Sequence, residues 1–305
     1  MPIDPQAQSF LDGMIAAGGP PLHLSSVEEA RAVPEMFPEL LGPGPECTHV
    51  RDVVIPGPAG DITARIYEPV DDPPATLVYW HGGGWVLGSA RTWDACVRSL
   101  AKESGARIVS ADYRLAPEHP YPAAVEDAYA ATCWAAEQFD GPLAVGGDSA
   151  GANLATVVCL RARDENGPKI DHQMLIYPCV DASMSSASME EFAESELILN
   201  RLGMQWFWDH YVPDVERRSE PWASPINAES LAGLPPAYVL ICGYDPLRDE
   251  NEAYVKKLEA DGVKVTVGRF PDQIHAFWTL QNAVGGAVDA HRDAAKALLA
   301  DCGCI

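Results

Sequence analysis

The chain is expected to fold as an α/β protein: a mostly parallel, twisted sheet flanked by helices, with a helical cap. Three observations carry that expectation. Short apolar strand-like runs alternate with helix-like stretches, a Gly-x-Ser-x-Gly motif (Gly147 to Gly151) stands at one strand-to-helix junction, and a His-Gly-Gly-Gly run (His81 to Gly84) follows another strand.

Taken in order, residues 1–45 are rich in Pro and Gly and helical only in short pieces. Strands are predicted at Val50–Ile55 and Asp61–Tyr67; the intervening Pro56-Gly57-Pro58-Ala59-Gly60 predicts a hairpin. Ala75–Trp80 and Arg107–Ala111 read as strands and Val125–Phe139 as an amphipathic helix. Leu143–Gly146 is strand-like, and Asn153–Leu160 has the apolar content of a buried helix. Gln173–Tyr177 is the next strand. Strand signals then vanish over 181–222, where Met184, Met189, Phe192, Trp206, Phe207, Trp208, Tyr211 and Trp222 stand among Ser and Glu. Tyr238–Cys242 and Val263–Val267 read as strands, the first followed by a helix opening at Arg248, the second by a loop Asp272–Trp278. The expected organisation is one catalytic domain, 46–305, under a cap made of residues 1–45 and an insertion at about 181–222. The cap aromatics either line an acyl or aryl pocket or fasten cap to core, since aromatics dominate burial generally.

The motifs point to acyl transfer. Gly-x-Ser-x-Gly bends a strand sharply into a helix and holds a serine hydroxyl out, with glycines where a side chain would crowd the bend, so Ser149 is the candidate nucleophile. Three successive glycines let backbone N–H groups approach a ligand, which suits an oxyanion hole; such donors are worth about 2.7–4 kcal/mol each. A serine needs a base and a group that orients the base. Asp245 lies on the loop ending the Tyr238–Cys242 strand and His275 on the loop after Val263–Val267, so the order serine, acid, histidine is that of α/β-hydrolases. Asp249 is the rival acid but sits in a first helical turn, where acidic residues face the helix dipole. His81 is expected to brace the glycine loop through hydrogen bonds; His23, His49, His119, His172, His210 and His291 lack a catalytic context. Asp148 reads either as a residue tuning the serine turn or as a solvated turn aspartate.

Four blocks resemble the hormone-sensitive lipase family of α/β-hydrolases, in its bacterial esterase branch: His81–Trp85, Asp112–Glu118 with Pro122-Ala123-Ala124 behind it, Gly147–Gly151, and Asp245-Pro246-Leu247-Arg248-Asp249. The resemblance spans roughly residues 50–300. It implies a triad of Ser149, Asp245 and His275, and oxyanion donors at Gly83, Gly84 and Ala150. One position departs: Ala276 stands where the family has glycine, a change that could shift the histidine loop but leaves every chemical group in place. The resemblance also implies short to medium acyl esters, and a homodimer contact through 263–268 and 287–300. Trp85, Trp206 and Tyr211 are the expected substrate-contacting residues. Alternatives are a hydrolase of amides, lactones or carbamates, or a small-ligand receptor of the same fold; receptors of that kind lose the histidine that this chain keeps.

Composition agrees. The 305 residues carry 44 acidic and 21 basic side chains, a net charge of −23, which disfavours nucleic-acid and anionic membrane surfaces and fits a salt-adapted source. No run reaches the roughly 18 apolar residues of a membrane span. Met1-Pro2-Ile3-Asp4-Pro5 has neither the basic nor the apolar region of a secretory signal, so a cytoplasmic enzyme is expected. Cys96, Cys133, Cys159, Cys179 and Cys242 lie in apolar contexts and should behave as small buried hydrophobes, and Cys302-Gly303-Cys304 lacks zinc-site spacing. Neither metal nor cofactor is expected; the partner is a small-molecule ester.

Overall fold

The computed structural model describes all 305 residues. Three helices come first, α1 (Pro5–Ala17), α2 (Val27–Glu35) and α3 (Phe37–Leu41). An antiparallel hairpin follows, β1 (His49–Gly57) and β2 (Gly60–Glu68), closed at Gly57 opposite Gly60 as its turn composition predicts. Then come β3 (Thr76–Trp80), α4 (Asp94–Ser104), β4 (Arg107–Ala111), α5 (Ala123–Gln138), β5 (Leu143–Asp148), α6 (Ala150–Asp164) and β6 (His172–Ile176). The cap-like segment holds α7 (Ala187–Glu191) and α8 (Arg201–Tyr211), after which β7 (Ala237–Tyr244), α9 (Arg248–Ala260), β8 (Val265–Ile274) and α10 (Gly285–Asp301) complete the chain.

The eight strands form one sheet in the order β1-β2-β4-β3-β5-β6-β7-β8, antiparallel at β1, β2 and the β2–β4 pair and parallel from there on. Every residue of β3, β5 and β6 is buried, the continuous apolar pattern of parallel strands covered on both faces. Alternate residues feed two cores. Val78, Trp80, Val109, Val145 and Leu175 pack toward α5, α6, α8 and α9, while Leu77, Tyr79, Ile108, Ala144 and Met174 pack toward α1, α4 and α10. No helix is long and apolar enough to cross a membrane.

Two expectations change. Residues 268–274 belong to β8 rather than a loop: pairing with β7 continues to Cys242 opposite Phe270, slips, and resumes at Tyr244 opposite Ile274. Gly243 permits the slip, because a Cβ there would overlap the Pro271 carbonyl. Pro271 itself is tolerated because β8 is an edge strand. Cys133 is half-buried rather than buried, whereas Cys96, Cys159, Cys179 and Cys242 are buried as expected.

The N-terminal helices divide between two places. Asp4 N–H bonds to the Asp272 carbonyl, Gln6 accepts from Gly285 N–H, and Ala7 and Leu11 are buried beside α10. Leu22, in a short turn before α2, packs against Gly203 of α8. Arg31 of α2 donates to the Val86 and Ala116 carbonyls and clasps Glu118 with both terminal nitrogens, tying that helix to the segment just past the glycine loop.

Candidate active site

Ser149 occupies the corner between β5, at the middle of the sheet, and α6. Its backbone sits at φ 54°, ψ −115°, a conformation that costs a non-glycine residue on the order of 1–3 kcal/mol and persists only where its surroundings enforce it. Those surroundings are visible: a Cβ on Gly151 would overlap the Trp80 carbonyl, and one on Gly147 would meet both Trp80 and Gly151. Both glycines are therefore required for β5 to turn this tightly beside β3. Ser149 N–H bonds to the Ile176 carbonyl at 2.9 Å, anchoring the corner to β6.

His275 and Asp245 come from the ends of neighbouring strands. Nδ1 of His275 is 2.7 Å from Asp245 Oδ2, and Nε2 is 3.1 Å from Ser149 Oγ. A carboxylate can only accept, so the ring proton stands on Nδ1 and Nε2 is left to accept from the serine hydroxyl. Asp245 is fully buried, its second oxygen accepting Leu247 N–H at 2.8 Å. The Tyr177 ring packs against the imidazole, its centroid 4.4 Å away and tilted by 48°. Ala276 adopts φ 70°, the left-handed region, which accounts for a glycine preference there. Asp249 faces elsewhere: its carboxylate accepts from Ser188 N–H at 2.8 Å and from Arg248, fastening α7 to α9.

The glycine run is tied to the serine corner by Gly82 N–H, which bonds to Asp148 Oδ1 at 3.1 Å. Gly83 and Gly84 have φ of 96° and 57°, and a Cβ on either would collide, with Leu87 or with the Phe207 ring respectively. Their N–H groups donate to nothing in the protein, nor does that of Ala150, the first residue of α6. Unpaired N–H groups at Gly83, Gly84 and Ala150, the last at the positive end of α6 next to Ser149, are the kind of donor a developing oxyanion requires. His81 braces the loop as expected: Nδ1 donates to the Gly82 carbonyl at 2.7 Å and the ring stacks on Tyr113, whose hydroxyl donates to the His81 carbonyl. Burial lowers the His81 pKa, keeping the ring neutral. Asp148 is no solvated turn residue. It is buried and accepts hydrogen bonds from Tyr79, Gly82 and Trp93.

Of the three expected substrate-contacting residues, Trp85 and Tyr211 have no exposed surface; they stack face to face at 4.2 Å and pin α8 behind the glycine loop. Large flat rings packed in this way bury most of their area on each other. Trp206 keeps 9% of its surface and packs edge-on against Phe207. Phe207 packs directly on Gly84, and nothing in the sequence singles it out from its neighbours. No group of three or more His, Cys, Asp or Glu is arranged to hold a metal ion.

Fold and site together define the class, a hydrolase built on the α/β plan with a serine, a histidine and an aspartate in hydrogen-bonded line. A family model described as alpha/beta hydrolase fold matches residues 77–279. The chain is 44% identical over 272 residues to the carboxylic ester hydrolase LipN of Mycobacterium tuberculosis, covering 85% of this chain and 72% of that protein. It is 38% identical over 304 residues to the carboxylesterase NlhH of the same organism, covering 94% and 92%. Among solved structures, a hyperthermophilic esterase from the archaeon Pyrobaculum calidifontis superposes with a TM-score of 0.92 at 38% identity, covering 98% and 99% of the two chains. An ester-hydrolase from the metagenome of Lake Arreo, complexed with a bipyridine phosphonate derivative, gives 0.93 at 39%, covering 99% of each. The chain belongs to the α/β-hydrolase fold family, in its hormone-sensitive lipase branch.

Proposed function

We propose that the protein hydrolyses carboxylic esters of short to medium acyl length through an acyl-enzyme, with Ser149 as nucleophile, His275 as general base and acid, and Asp245 as the residue orienting the imidazole. The continuous line from Asp245 through His275 to Ser149, at 2.7 and 3.1 Å, is the observation that carries this reading. Ser149 Oγ bonds to the ester carbonyl carbon while its proton passes to His275 Nε2, and the imidazolium is stabilised by Asp245. The N–H groups of Gly83, Gly84 and Ala150 receive the negative oxygen. Collapse of the intermediate breaks the bond to the alcohol, which leaves with the proton from His275. Water, deprotonated by the same nitrogen, then attacks the acyl-enzyme and releases the acid.

The named activities of LipN and NlhH favour an ester over an amide, lactone or carbamate. The cap of this reading is residues 1–45 with 181–222, and Phe207 over Gly84 is the contact favouring a short acyl group. Eight free cysteines fit a cytoplasmic enzyme, and β8, unpaired along its outer edge, with α10 behind it, is the proposed homodimer contact. The test is turnover of p-nitrophenyl esters of graded acyl length by the native chain and by Ser149→Ala. Turnover peaking at short acyl groups and lost in the variant is expected. Most activity surviving Ser149→Ala would remove the nucleophile and with it the reading.

A further inference from the structure

Asp148 is the one carboxylate beside Ser149 that stands outside the triad. It ends β5, and its Oδ1 gathers donors from three separate segments: Tyr79 O–H at 2.7 Å from β3, Trp93 Nε1–H at 3.0 Å from the turn before α4, and Gly82 N–H at 3.1 Å from the glycine loop. Tyr79 in turn accepts from Trp278 Nε1–H at 3.0 Å, three residues past His275. A Cβ on Gly82 would run into Asp148 Oδ2, so loop and carboxylate are in direct contact. No Lys or Arg pairs with it.

This is a poor place for a negative charge. The site must generate an oxyanion close by, and charging a carboxyl here without a cation costs the fold desolvation energy. What a charged acceptor supplies that a neutral one does not is strength: bonds to an ionised carboxylate are shorter and roughly twice as strong as neutral ones. The bond that bears on chemistry is the one to Gly82, next to the two glycines whose N–H groups are free.

We propose that Asp148 is a positioning residue for the reaction, its carboxylate tying Gly82 to the serine corner and so setting where the Gly83 and Gly84 N–H groups stand relative to Ser149. The inference rests on the serine-hydrolase reading above. It also makes the hole sensitive to pH. Burial pushes the Asp148 carboxyl up to about 6, against the opposing pull of Tyr79, His275, Gly82 and Trp93. The other titratable groups facing it are His275 and Tyr79, Tyr113, Tyr177 and Cys96, of which burial holds the last four neutral, and His81, next to Gly82 and against Trp93, is likewise kept neutral by burial. Above about 6 the carboxylate is charged and the loop is held; as pH falls through that value the charge-assisted bond to Gly82 is lost.

The test uses Asp148→Asn, with two readouts: labelling of Ser149 by a fluorophosphonate, which needs the hole but no ester, and kcat and KM on p-nitrophenyl butyrate. At about pH 8 labelling rate and kcat should fall together by about tenfold or more, as expected for losing a bond to a charged group, with KM nearly unchanged and the midpoint of thermal unfolding no lower. A purely structural Asp148 predicts the reverse, a lower unfolding midpoint with labelling intact, and that result overturns the proposal. Should Asp148→Asn fail to fold, Trp93→Phe decides: removing one donor raises the carboxyl pKa further, so the acid limb of labelling moves to higher pH. A limb superimposable on the native one overturns the proposal. A native chain that labels at Ser149 but turns over no ester sinks the ester reading alone, while one that does neither sinks both.

Discussion

Ser149, His275 and Asp245, which the structure joins in one hydrogen-bonded line, were each singled out by chain order and motif, because the proposed chemistry demands particular residue types at the ends of strands. The choice between Asp245 and Asp249 illustrates what position adds. Asp245→Asn should lower kcat on the order of 10⁴-fold by presenting the wrong histidine tautomer, as in serine proteases. Asp249→Asn should leave kcat within a few-fold and act on stability, since its carboxylate holds Ser188 N–H and Arg248. Steady-state kinetics of the two variants separates the roles, and a larger kcat loss at Asp249 would misplace the acid. Ala276 is a second case. Its φ of 70° strains an L-residue, and Ala276→Gly is expected to raise unfolding free energy by about 0.5–1 kcal/mol in chemical denaturation, with the imidazole still placed. The partners of Asp148 were not legible in the sequence. Tyr79, Gly82 and Trp93 come together only because β3, the glycine loop and α4 fold around β5.

At the scale of elements, the parallel strands were readable because burial on both faces writes them as unbroken apolar runs, and β4 runs from Arg107 to Ala111 as its sequence predicts. The second half of β8 was hidden, since Gly268, Pro271 and Asp272 are poor strand residues that an edge position and the slip at Gly243 accommodate. Helix α10 is held to α4 by a buried histidine: His291 Nδ1 accepts from Ser99 Oγ at 2.8 Å and Nε2–H donates to the Trp278 carbonyl at 3.0 Å. Burial lowers the His291 pKa to about 3. Since this folded-state value lies below the unfolded one, near 6.5, the unfolded chain binds a proton that the folded chain refuses as pH drops beneath 6.5. Stability from this group is complete above 6.5 and declines from there toward 3. Thermal unfolding followed from about pH 7 to pH 5 should show a falling midpoint, with a shallower slope in His291→Gln; equal slopes would show that His291 is not the source.

For the whole molecule the dominant physical fact is charge. A net −23 spread over 305 residues makes the folded state repel itself, and salt screens that repulsion over about 10 Å at 0.1 M. Raising sodium chloride from about 0.01 to 0.5 M should therefore raise the unfolding midpoint; a midpoint that falls would mean that surface ion pairs such as Arg65 with Asp52 and Asp94 outweigh the repulsion. The sequence by itself determined the fold class and the order of the strands along the chain, and it singled out the serine, aspartate and histidine that the structure brings into one hydrogen-bonded line, because periodicity and reactive residue types are local properties. Tertiary structure alone decided how the aromatic residues around the glycine loop pack. It buried Trp85 against Tyr211 and laid Phe207 on Gly84, outcomes set by ring packing between segments more than a hundred residues apart, which no local pattern encodes.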